Sequence, residues 1–190
     1  MPHYEVHHSC SLTQSQYQKI ATAFTRLHCK LCKTYTTAVH NHHLTNATVS
    51  APSAFVNVSY HYTPAESPVR HTVYIGGQPV SANYIHAHLR PRGPENAPKL
   101  HQLVIAIMGV WNELIQKGEG RLDDPMALHN VFLFEDVAAG AEQGFLLPLA
   151  GEDGNWVKDN MQAFEKRARE GDESFKTLLA EHKAGFGSQG

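Results

Sequence analysis

Twice along this chain an alternating stretch gives way to a stretch of helical period, and that in turn to another alternating stretch. Residues 2–9 set Pro2, Tyr4 and Val6 on one face and His3, Glu5 and His7 on the other, the two-residue period of a strand. Thr13-Gln14-Ser15-Gln16 then reads as a capping box. Tyr17, Ile20, Ala21, Phe24, Leu27 and Leu31 follow at helical spacing and predict a helix over 14–31, with His28 beside the apolar stripe. Residues 54–62 alternate again, with Val56, Val58, Tyr60 and Tyr62 together. The second round begins at Thr72–Ile75, a short strand closed by Gly76-Gly77. It continues with a strand over Asn83–Arg90, in which Tyr84, His86, His88 and Arg90 share one face. Asn96 is a candidate cap with Pro98 in the first turn, and Leu100, Leu103, Val104, Ile107, Trp111, Leu114 and Ile115 form the stripe of a helix ended by Gly118. Val131–Glu135 is the closing strand.

A strand, helix and parallel strand require a right-handed crossover. Two such units side by side give a four-stranded sheet with two helices on one face. The expected class is therefore α/β (α+β), a tandem β-α-β repeat with halves at 2–62 and 72–135 inside one domain over 1–150. Residues 33–53 show no clear period and are rich in Thr, Asn, His and Ser, which reads as a long loop. Residues 151–190 form a helical extension packed on the same domain, with one helix capped by Asn155 and a shorter one capped by Asp172. Gly185–Gly190 reads as a frayed tail.

Composition narrows the function classes. A chain of 190 residues with 42% hydrophobic content and a net charge of −2 has room for a core and no basic face for nucleic acid. No apolar run reaches the length of a membrane span, and the polar, His-rich start is not a signal peptide, so a cytoplasmic location is expected. Cys10, Cys29 and Cys32 are too few for a disulfide framework, and the lone CxxC at 29–32 lacks both a redox setting and a zinc partner.

Candidate chemistry starts at Pro2. Removal of Met1 before a small residue is expected to expose a secondary amine, and free α-amino groups titrate at about 7.7–8.0. An amine on a strand end can serve as a general acid or base. Arg90 ends the strand that opens the second half, a position read as equivalent to that of Pro2 under the internal repeat. Its guanidinium suits a carboxylate and would lower the pKa of a neighbouring amine. Arg92 follows after Pro91. The fourteen histidines raise a metal reading. His40, His42 and His43 cluster, and His86 and His88 share a strand face, but no zinc motif joins them, so neither metal nor cofactor is expected at the site.

In order and spacing the chain resembles the tautomerase superfamily, most closely the fungal form of the cis-3-chloroacrylic acid dehalogenase-like (cis-CaaD-like) branch. The resemblance is carried by Pro2, Leu12-Thr13, Ala23-Phe24-Thr25-Arg26-Leu27-His28, Phe55-Val56-Asn57-Val58, Tyr74-Ile75-Gly76-Gly77, Ile85-His86-Ala87-His88-Leu89-Arg90 and the run from Ala139 to Pro148. It implies a homotrimer in which Pro2 is the catalytic acid or base, His28 and Arg90 hold a substrate carboxylate, Arg92 assists, and Glu142 positions water or tunes the pocket. The dehalogenase carries a tyrosine on its last core strand, whereas this strand reads Val131-Phe132-Leu133-Phe134-Glu135. The expected activity is thus a tautomerase (isomerase) acting on a small 2-oxo or enol carboxylic acid. The alternatives are a hydratase or dehalogenase of an unsaturated acid, and a non-catalytic or metal-binding protein that keeps the fold.

Overall fold

A computed structural model describes residues 2–31, 52–64, 73–116 and 119–184, together with the backbone of the strands at 34–40 and 43–49. In chain order the strands are β1 His3–His8, β2 Thr34–His40, β3 His43–Val49, β4 Asn57–Tyr62, β5 Val73–Ile75, β6 Gln78–Val80, β7 Asn83–His88, β8 Leu128–Phe134, β9 Ala141–Glu142 and β10 Phe145–Leu146. The helices are α1 Gln14–Leu31, α2 Ala97–Leu114, α3 Asp153–Arg169 and α4 Glu173–Lys183. The central sheet runs β4-β1-β7-β8. β1 is parallel to β4, β7 is parallel to β8, and the two halves meet along an antiparallel β1–β7 seam. This is the expected pair of β-α-β units.

Period decides which face is dry. Tyr4, Val6, Ile85, Ala87 and Leu89 are buried with Ile20 and Phe24 of α1 and Leu103, Ile107 and Trp111 of α2. The opposite face carries His3, Glu5, His7, Tyr84, His86 and His88, all left partly accessible. The capping box at α1 is formed in both directions. The Thr13 N–H donates to Gln16 Oε1 at 2.8 Å, and the Gln16 N–H donates to Thr13 Oγ1 at 3.2 Å.

Four local expectations are corrected. The loop at 33–53 contains an antiparallel hairpin, β2–β3, running from Thr34↔Val49 to His40↔His43. Its β-branched Thr and Val residues favour strands, but polar residues fall on both faces and erase the period. The strand over Asn83–Arg90 stops at His88, so Arg90 lies beyond the alternating face. Asn96 precedes α2 without a side-chain cap; its Nδ2 donates to the Arg92 carbonyl at 2.8 Å. Asn155 does not cap α3 either, because the helix begins two residues earlier at Asp153 and Asn155 Nδ2 donates to Glu152 Oε2 at 3.2 Å. Asp172 does cap α4, accepting from the Ser174 N–H at 3.1 Å. Met1, Gly118, the tail over 185–190 and the side chains of Cys32, His40, His42 and His43 lie outside the described residues.

The C-terminal helices close a second core. Trp156, Val157 and Phe164 of α3 and Phe175 and Leu178 of α4 bury Phe55, which sits just ahead of β4. Phe145 of β10 packs edge-on against Phe164, with ring centroids 4.8 Å apart. The extension therefore grips two segments at once, the entry to β4 and the β9–β10 hairpin. Among the described residues no helix is long and apolar enough to cross a membrane.

Candidate active site

Topology explains why distant residues meet at one end of the sheet. Because β1 and β7 are antiparallel, with His3 opposite His88, the start of β1 lies beside the exit of β7. Pro2 and Arg90 are thus neighbours across the seam. They are not equivalent under the internal repeat, as the sequence reading has it; the counterpart of Pro2 is the stretch just before β7. α1 returns antiparallel to β1, so its last turn comes back to the same end. His28 occupies that turn on the buried stripe of Ile20 and Phe24.

Pro2 is buried and its carbonyl accepts the Asn57 N–H at 3.1 Å, extending the β1–β4 ladder to the chain start. The Asn57 side chain turns the other way and donates from Nδ2 to Glu142 Oε1 at 2.6 Å. One residue of β4 therefore ties Pro2 by its backbone and Glu142 by its amide. Burial raises the Glu142 carboxyl, against the Asn57 hydrogen bond and the positive N-terminus, which lower it. The hairpin carrying Glu142 turns through Gln143 and Gly144, both at positive φ (51° and 88°). Asn and Gly favour that conformation, so glutamine needs fixing there. Its Nε2 donates to the Ala54 carbonyl at 2.9 Å, and its own carbonyl accepts from Arg167 Nη1 of α3. The Arg167 guanidinium is held in turn by Asp172 and by the Phe175 ring, 4.4 Å from its centroid.

His28 is 4% exposed, with Nδ1 2.9 Å from the Tyr4 hydroxyl. Burial pushes the imidazole well below the usual histidine range, and the positive charges of Arg92, the N-terminus and Arg90 act in the same direction. His28 is therefore neutral at pH 7 and has one ring nitrogen beyond the Tyr4 bond.

The two arginines differ sharply. Arg90 is 6% exposed and spends its fork on protein: Nη1 donates to the carbonyls of Pro148 at 2.7 Å and Leu149 at 3.0 Å, and Nη2 donates to Asp153 Oδ1 at 2.7 Å. Asp153 is 1% exposed. Arg92 is half-buried and its guanidinium has no acidic partner among the described residues, while its backbone is anchored at both ends. The Arg92 N–H donates to Glu135 Oε1 at 2.8 Å, and its carbonyl accepts from Asn96. Pro2, His28, Arg92 and Glu142 thus gather at one end, with Arg90 beside them in a closed ion pair. Sequence reasoning missed Tyr4, Asn57 and Asp153. Asn57 stood inside the quoted Phe55-Val56-Asn57-Val58 run, and its place in register with Pro2 is the signal that could have found it.

A cavity of about 640 Å³ opens at the other end of the sheet, lined by residues that include His7, His8, His61, Tyr62, Ala82 and Tyr84. Neither Pro2, His28, Arg92 nor Glu142 borders it.

No family model matches the chain, and no curated protein matches its sequence. Solved structures do match. A probable enzyme from the thermophilic fungus Aspergillus fumigatus is 17% identical with a TM-score of 0.53, over 84% of this chain and 94% of that one. A mutant of the protein RhCC from Rhodococcus jostii is 16% identical with a TM-score of 0.50, over 83% and 89%. A fused 4-OT, solved as an asymmetric trimer, is 13% identical with a TM-score of 0.49, over 76% and 94%. The likeness to the first two is one of fold.

Proposed function

We propose that this chain is a tautomerase that uses the N-terminal amine of Pro2, freed by removal of Met1, as general acid and base on a small 2-oxo or enol carboxylic acid. The observation that carries the reading is the tether on Pro2. Its carbonyl and the Glu142 carboxylate are held by the same Asn57, beside a buried neutral His28 and the uncommitted guanidinium of Arg92. An amine fixed on a central strand has little freedom to lose when a substrate arrives, which is what positioning for proton transfer requires.

In this mechanism Arg92 takes the substrate carboxylate and His28 donates a hydrogen bond to the oxygen on which enolate charge develops. Arg90 is a positioning residue that clamps the 148–153 segment beneath the site. The neutral Pro2 nitrogen removes a proton from carbon or from the enol oxygen and returns it at the other terminus. The nearby guanidinium charges favour the neutral amine, while an ionised Glu142 favours the protonated one. A second reading, acid-assisted addition of water to an unsaturated acid, is favoured by Glu142 alone, whose carboxylate is aligned by Asn57 to hold a water. β8 reads Leu-His-Asn-Val-Phe-Leu-Phe and supplies no phenol to help activate that water. The homotrimer belongs to the same proposal.

The test is covalent labelling with a 3-halopropiolate, read by intact mass and peptide mapping. Protein lacking Met1 should be modified at Pro2, and Arg92→Ala should slow the labelling. Ketonisation of phenylenolpyruvate should be lost in Pro2→Ala; equal rates in both proteins, or a retained Met1, would overturn the mechanism.

A further inference from the structure

The sheet face that no helix covers among the described residues carries five imidazoles, from His3 and His7 on β1, His61 on β4, and His86 and His88 on β7. Three side chains there converge across the seam between the two halves. Glu5 and His7 lie two residues apart on the same face of β1, and the Cα partner of Glu5 on β7 is His86. His7 Nε2 is 3.2 Å from Glu5 Oε2, and one ligand atom each from Glu5, His7 and His86 fall within 4.8 Å of one another. We propose that Glu5, His7 and His86 form a binding site for a divalent transition-metal ion of the zinc type.

The donor set argues for that class of ion. Two imidazoles and one carboxylate suit Zn²⁺, Co²⁺ and Ni²⁺, and are a poor match for the oxygen-only preferences of Mg²⁺ and Ca²⁺. Bonds of about 2.0–2.1 Å to a tetrahedral ion put ligand atoms roughly 3.4 Å apart. The Glu5–His7 pair is already at that spacing, and a His86 ring nitrogen lies within 4.8 Å of both. The rings are pre-oriented. His7 stacks on His61 at 4.4 Å and 12° and on Tyr84 at 4.5 Å and 8°, while His86 meets Phe134 edge-on at 5.3 Å and 89°. Such packing fixes a ligand's direction before the ion arrives. His3 Nε2 lies 3.6 Å from Glu5 Oε1, the oxygen turned away from His7, and stays outside the three-ligand cluster. His7, His61 and Tyr84 also line the 640 Å³ cavity, which gives the ion a route in. An ion here would join β1 of the first half to β7 of the second. The proposal is independent of the proline mechanism, whose residues lie elsewhere on the sheet.

Tag-free full-length protein, stripped by chelator, is titrated with Co²⁺ and followed by its visible d–d absorption, then competed with Zn²⁺. The expected result is one ion per chain and a Zn²⁺-dependent rise in Tm. His86→Ala and Glu5→Gln should each weaken binding by roughly tenfold or more, since even outer-shell changes at metal sites cost about that much. Circular dichroism of the metal-free variants reports whether they fold, and Glu5→Gln keeps the test valid if His86→Ala does not. The variant in which His40, His42 and His43 are all alanine should bind as wild type does. Absence of binding, full binding by Glu5→Gln, or loss of binding in the triple variant would overturn the proposal.

Discussion

Replacing Asp153 by alanine strands a guanidinium. Arg90 and Asp153 are 6% and 1% exposed and meet at 2.7 Å, so solvent screens neither partner. Forming such a pair adds little net stability, because both ions must be desolvated, but removing one partner leaves a buried charge uncompensated, at a cost of about 3–5 kcal/mol. The lower part of that range is expected. Asp153 Oδ2 has no hydrogen-bond partner among the described residues, so the pair is one-armed, and the Arg90 fork keeps its two backbone acceptors. For a chain of this length 1 kcal/mol moves Tm by roughly 2–4 °C, so Asp153→Ala should melt about 6–12 °C below wild type. The double variant Arg90→Met/Asp153→Leu should regain most of the loss, because apolar residues of similar volume need no partner. Thermal unfolding by circular dichroism or calorimetry reads all three proteins, and a double-mutant cycle isolates the coupling. The kinetics follow. If Arg90 only clamps the 148–153 segment, the double variant keeps the wild-type KM for an enol acid, whereas Arg92→Ala raises KM and leaves Tm nearly unchanged. An Asp153→Ala protein that melts within about 2 °C of wild type would refute the reasoning on burial. A stable double variant with a greatly raised KM would move the carboxylate contact back to Arg90.

Three further outcomes are expected. Glu142→Gln keeps the acceptor for Asn57 and removes a charge that burial disfavours. It should be more stable than wild type at pH 7 by chemical denaturation, with the gap closing as pH falls from the raised folded pKa through 4.5, below which wild-type Glu142 is neutral in both states. His28 and His8 both have lowered folded pKa values. Below the unfolded value of 6.5 the unfolded chain takes up protons that the folded chain does not. Stability should therefore drop with falling pH by up to about 1.4 kcal/mol per unit for each group, and His28→Gln should remove one group's share of that slope. Thr13→Ala removes the Oγ1 arm of the α1 capping box, leaves the backbone N–H arm to Gln16 in place, and should destabilise by about 1 kcal/mol in denaturant unfolding, without altering turnover.

The elements legible in the sequence are those whose period matches a one-sided burial. β1 buries alternate residues, and α1 buries Ile20, Phe24 and His28 at four-residue steps, so each announces its type and its inward face. β2 and β3 carry polar residues on both faces and were readable only as a loop. Caps were half legible. Thr13 and Asp172 do what their types suggest, whereas Asn96 and Asn155 donate elsewhere, because an amide near a helix start has several acceptors in reach. At the site, the residue types could be read but not their commitments. Arg90 and Arg92 look alike in sequence, and the difference between them depends on Asp153, which arrives sixty residues later from the extension. Asn57 was invisible for the opposite reason, since its role lies in register and not in residue type.

The antiparallel seam between duplicated halves has a consequence for where an amine can stand. A repeated β-α-β unit presents two matching strand starts, one at each end of the sheet, yet a single chain has one N-terminus. The start of β7 is preceded by Ser81 and Ala82 as ordinary backbone, and the 640 Å³ cavity opens there, bordered by Ala82 and His8. The asymmetry between the ends is therefore topological before it is chemical. A chain that began just ahead of β7 would place its own amine at the far end, beside a pocket that already exists.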